Sequence, residues 1–138
     1  MVTEDYVSFE VAKLLKEKGF DYASFHCYEE KEAVGILFTT LSAPLSNSDL
    51  DNTIEPHKCY SAPTLQMAMK WLREVHHYYI QVMLDSWACG GHTGYYVVIQ
   101  KTDSDFEMML QDAVDEVFYQ TYEEACEAAI KYCLENLI

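Results

Sequence analysis

The chain has 138 residues, half of them hydrophobic, with 23 acidic against 9 basic residues and a formal net charge of −14. This is core enough for one globular domain and far from a disordered composition. No apolar run approaches the ~20 residues of a membrane span. The opening Met1-Val2-Thr3-Glu4-Asp5 has neither the basic nor the apolar region of a signal peptide.

Ser8 caps a first helix over Phe9–Lys18, with Val11, Leu14 and Leu15 inward. Gly19 stands where a left-handed residue ends a helix, and Phe20 can pack back on the last turn. Tyr22–Tyr28 and Val34–Leu41 read as strands, with the charged run Glu29-Glu30-Lys31-Glu32 as the loop of a hairpin. Residues 42–58 carry Pro44, Asn47, Asp49, Asp51 and Pro56 and read as a long irregular loop.

Thr64 caps a second helix whose inward stripe is Leu65, Ala68, Met69, Leu72 and Val75, with Trp71 at its margin. The period then changes from 3.6 to 2. Tyr78, Ile80, Val82 and Leu84 alternate with Tyr79, Gln81, Met83 and Asp85, the pattern of a half-buried strand. Residues 89–94 read as a turn, and Tyr95–Lys101 as the returning strand. Asp103–Ala113 fits a helix or a loop, and Val114–Tyr119 a short strand. The final helix is the clearest element. Thr121 and Glu124 form a capping box, and Tyr122, Ala125, Cys126, Ala129, Ile130, Cys133, Leu134 and Leu137 make one stripe. The expected fold is therefore α+β: a single domain in the order α-β-β-α-β-β-(β)-α, a mostly antiparallel sheet packed by three amphipathic helices.

The charge is uneven. Lys101 to Ile138 holds ten acids against two bases. Such a surface repels phosphates, so direct nucleic-acid binding is disfavoured. It suits a basic protein partner, and in one version imitates nucleic acid to occupy one. Tyr78, Tyr79, Tyr95, Tyr96 and Trp87 gather on one hairpin. Its outer face is a candidate contact surface, because Tyr and Trp are enriched in binding hot spots. The residues expected to meet a partner are Tyr79, Trp87, Tyr96, Asp115, Glu116 and Glu123.

Chemistry has weaker signals. Cys89-x-x-His92 has usable spacing for zinc but lacks a second matched pair. A metal- or thiol-dependent enzyme around Cys89 and His92 is the alternative from another class, and a structural or self-associating module a third. Cys126 and Cys133 lie on the inward stripe and read as small hydrophobes. The five cysteines, an odd count, read as free thiols of a reducing cytoplasm. There is no nucleophile elbow, phosphate loop, H-E-x-x-H or calcium loop, so the sequence names no catalytic residue and no cofactor.

Several blocks together carry a resemblance. They are Tyr6-Val7-Ser8-Phe9-Glu10 with Ala12-Lys13-Leu14-Leu15-Lys16-Glu17-Lys18-Gly19-Phe20, then Ala62-Pro63-Thr64 followed by Lys70-Trp71-Leu72-Arg73-Glu74-Val75. The last are Tyr122-Glu123-Glu124-Ala125 and Leu134-Glu135-Asn136-Leu137-Ile138. In this order and spacing the chain resembles small proteins of gut anaerobic bacteria and their phages and mobile elements. The resemblance implies a bacterial cytoplasmic setting and carries over no activity and no site residue.

Overall fold

The computed structural model describes residues 2–40, 42–53, 58–85, 94–114 and 118–138. The fold is α+β, and the chain divides into two units, Met1–Met67 and Ala68–Ile138.

The first unit holds α1 (Phe9–Glu17), β1 (His26–Lys31), β2 (Val34–Thr39), α2 (Asn47–Thr53) and β3 (Cys59–Ser61). Its antiparallel sheet has the order β2-β1-β3. Ser8 Oγ accepts the Val11 N–H at 3.3 Å and starts α1. Gly19, at φ 92°, ends it. The Gly19 and Phe20 N–H groups donate to the Lys16 and Leu15 carbonyls at 3.1 and 2.9 Å, the paired bonds of a Schellman stop.

The hairpin differs from its expectation. β1 begins at His26, not Tyr22, and runs through Glu29, Glu30 and Lys31. The turn is Glu32-Ala33 alone, with φ of 51° and 66°. Positive φ at both positions suits a tight hairpin turn, which Asn-Gly normally announces. Glu-Ala sends no such signal, so the acidic run passes for a loop.

Residues 42–58 are not wholly irregular, because α2 lies among them. Ser46 and Asp49 cap it reciprocally: Asp49 Oδ2 accepts the Ser46 N–H at 3.0 Å and Ser46 Oγ accepts the Asp49 N–H at 3.2 Å. Leu50 then packs with Cys27, Cys59, Phe38 and Leu45 on one face of the sheet. On the other face the Phe9 ring of α1 meets Tyr28 and Tyr60 edge-on, with ring centroids 5.6 and 5.7 Å away.

α3 (Leu65–Val75) starts in the first unit and continues into the second. Thr64 Oγ1 accepts the Met67 N–H at 3.1 Å, as its capping role requires. Two positions depart from the expected stripe. Trp71 is buried rather than marginal, and Val75, the last residue of α3, is exposed.

The second unit holds β4 (Tyr78–Asp85), β5 (Gly94–Lys101), β6 (Glu107–Met109), the single turn α4 (Leu110–Ala113) and α5 (Tyr122–Tyr132). α5 runs on into a wider π turn over Cys133–Leu137. The antiparallel sheet has the order β4-β5-β6. Its third strand is interrupted. β6 pairs with β5 at Val98–Gln100, and Tyr119 resumes the line by exchanging both backbone bonds with Tyr95, at 2.8 and 2.9 Å. Between these two pairings Gln111 of α4 supplies the missing acceptor: its Oε1 takes the Val97 N–H at 3.1 Å.

α5 is where the sequence places it, with Thr121 Oγ1 accepting the Glu124 N–H at 3.1 Å. Ala125, Cys126, Ala129, Ile130, Cys133 and Leu134 are all buried. The helix lies against β4 and β5, on the sheet face that carries Tyr78, Ile80, Val97 and Ile99. Tyr95 meets Tyr122 edge-on at 6.3 Å, and the Tyr78 hydroxyl donates to the Leu137 carbonyl at 3.3 Å. Among the described residues no helix is long and apolar enough to cross a membrane.

Candidate functional site

Strand alternation decides what the other face of the second sheet presents. Side chains one residue apart point to opposite sides. Tyr79, Gln81, Met83 and Asp85 of β4 therefore turn away from α5, as do Tyr96, Val98 and Gln100 of β5 and Glu107 and Met109 of β6. Met83 stands directly opposite Tyr96, and Val98 lies between Gln81 and Met109. Tyr79, Met83 and Met109 remain 42, 40 and 41 % exposed, while Tyr96 and Val98 are half-buried. A polar band crosses this face. Gln81 Nε2 donates to Gln100 Oε1, and Gln100 Nε2 donates to Glu107 Oε2 at 2.8 Å. The band pins side chains across three strands and sets Tyr79 apart from the Met83, Tyr96, Val98 and Met109 cluster.

The structure thus puts Tyr79 and Tyr96 on one surface, about 13 Å apart along the strands at the usual rise per residue. Glu123 is elsewhere: it is exposed in the first turn of α5, on the helix side of the sheet. Trp87, Asp115, Glu116, Cys89 and His92 lie outside the described residues. Met83 belongs to the surface by the same period-2 pattern that places Tyr79. Met109 was hidden in the sequence, because Asp103–Ala113 fits two templates and only the pairing with β5 shows its side.

A second cluster lies in the first unit. A cleft of about 340 Å³ is lined by Lys13, Lys16, Glu17 and Tyr60. Each lysine faces a carboxylate: Lys13 Nζ is 3.4 Å from Glu30 Oε1, and Lys16 Nζ is 2.5 Å from Asp51 Oδ1. The Tyr60 hydroxyl donates to Glu30 Oε2 at 3.1 Å. Burial first, then Glu30, pushes the Tyr60 hydroxyl up to about 12, so it stays protonated and cannot serve as a base. The lysine charges are compensated locally, which makes this a packing network rather than an anion site.

The thiols point the same way. Burial raises Cys27 to about 11, helped by neighbouring Cys59, and raises Cys126 to about 11 and Cys133 to about 12. A nucleophilic cysteine needs the opposite shift. Among the described residues, no group of His, Cys, Asp and Glu is placed to hold a metal ion. No family model, curated protein or solved structure matches the chain.

Proposed function

We propose that this protein acts by binding a protein partner through the open face of its second sheet, aided by the acidity of its last third. The observation that carries the reading is a sheet covered by α5 on one side, whose other side offers Tyr79, Met83, Tyr96, Val98 and Met109 around a fixed polar band. Aromatic and Met side chains on a rigid strand scaffold give large contact area at little entropic cost. Ten acids against two bases between Lys101 and Ile138 select a basic partner and speed its approach. The resemblance to proteins of gut anaerobes and their phages and mobile elements supports an accessory role in a bacterial cytoplasm, with a host nucleic-acid-binding protein as one partner of the right charge.

The test is affinity capture from a lysate of an anaerobic host at low and moderate salt, using the native chain and a Tyr79→Ala, Met83→Ala variant. A basic protein held at low salt, weakened by salt and lost with the variant supports the reading. A partner held equally by both chains, or one indifferent to salt, contradicts it.

A further inference from the structure

The two edges of the first sheet are treated differently. On β3 the groups that point away from β1 are closed by side chains. Lys16 Nζ donates to the Cys59 carbonyl at 3.1 Å, and Asn47 Oδ1 accepts the Ser61 N–H at 2.9 Å. β2 is the opposite edge. The Thr40 N–H donates to Phe25 O at 2.7 Å, which fixes the phase of the ladder: Val34, Ile36 and Phe38 bond to β1, while Gly35, Leu37 and Thr39 point outward. No described residue bonds those outward N–H and C=O groups. Val34, Ile36 and Leu37 beside them are 61, 48 and 44 % exposed. Natural edges are guarded by lysine, proline or a bulge, and Val34–Thr39 contains no lysine or proline and pairs with β1 in unbroken register.

We infer that β2 pairs antiparallel with β2 of a second copy of this chain, about a two-fold axis through Leu37 and perpendicular to the sheet. An extended backbone is what unpaired ladder groups recognise. In this register Leu37 faces Leu37 of the second copy, and Gly35 faces Thr39, so every outward N–H and C=O finds a partner. Ile36 then lies beside Phe38 of the second copy, which covers exposed apolar surface. Self-pairing has to overcome a net charge of −14 on each copy, and the strand suits this because Ala33 to Ser48 contains no charged residue. The pairing is independent of the open face of the second sheet, and its salt dependence has the opposite sign. Salt screens the repulsion between copies and strengthens the dimer, whereas it weakens capture of a basic partner.

Sedimentation equilibrium at micromolar concentrations, with and without added salt, tests this on the full chain. The expected result is a mass of two chains, favoured by salt, with Leu37→Pro weakening dimerisation at least about tenfold. The Leu37 N–H faces outward, so proline there spares the bonds to β1. Leu37→Cys should form an interchain disulfide under mild oxidant and Ile36→Cys should not, which decides the register even if the proline variant fails to fold. A monomer at all concentrations overturns the inference, as does a dimer unchanged by Leu37→Pro or an equal yield of cross-link at the two cysteine positions.

Discussion

Asn47 Oδ1 accepts the backbone N–H of Ser61 at 2.9 Å while Asn47 Nδ2 donates to the Phe20 carbonyl at 2.7 Å. One buried amide thus joins the end of the α1 stop to the outer edge of β3. Asn47→Ala removes one hydrogen bond from each of two backbone groups at a site closed to water, which should cost about 1–3 kcal/mol. Asn47→Asp keeps the acceptor for Ser61 but sets an oxygen against the Phe20 carbonyl, so it should be no better than alanine at neutral pH. Urea unfolding of the three chains checks this. A loss below about 0.5 kcal/mol for Asn47→Ala would mean the amide is dispensable.

Gly35 is the floor beneath Phe9. A Cβ at Gly35 would stand 2.2 Å from Phe9 Cδ2 and Cγ and 2.7 Å from Phe9 Cβ, closer than atoms can approach. Gly35→Ala should therefore cost about 1–3 kcal/mol by overpacking. In a Phe9→Ala background the same change should cost far less, since the ring that it strikes is gone. Strictly additive losses in that double-mutant cycle would refute the contact as the cause.

The buried thiols give a pH dependence with a definite sign. Cys27, Cys126 and Cys133 have pKa values raised from 9.0 to about 11, 11 and 12. Below pH 9.0 both folded and unfolded chains keep these thiols protonated, and folding incurs no penalty from them. Above it the unfolded chain ionises first, so stability falls as pH rises from 9.0 through about 11 and 12. Denaturant midpoints measured across that window should drop steadily. At neutral pH the same three cysteines should resist alkylation until the chain is unfolded, as read by peptide mapping. Rapid labelling of any of them in the native protein would contradict their placement.

Much of this architecture is legible in the residues. Elements with a cap and a long stripe declare themselves: Ser8 and Gly19 bound α1, Thr64 starts α3, and Thr121 starts α5, each by the bond its position demands. The period-2 run from Tyr78 also sorts Tyr79 and Met83 from Tyr78 and Ile80. What the sequence hides depends on partners distant in the chain. β3 is three residues long and exists only by pairing with β1. β6 is equally short and pairs with β5. Glu30 reads as a loop residue until Tyr60 and Lys13 are seen to hold it. The Ser46-x-x-Asp49 cap of α2 was readable by the usual rule, but a helix of seven residues has too short a stripe to confirm it. For the open face, membership follows alternation on β4 and β5, whereas Met109 required the strand pairing.

If the open face of the second sheet binds a basic protein, removing Tyr79 and Met83 must weaken that binding. The most direct measurement is the dissociation constant of the captured partner for the native chain, for Tyr79→Ala with Met83→Ala, and for Leu37→Pro, each at two salt concentrations. The double variant should bind at least about tenfold more weakly, salt should weaken binding, and Leu37→Pro should leave it unchanged. Equal affinity for the native chain and the double variant would contradict it, whatever the partner's identity.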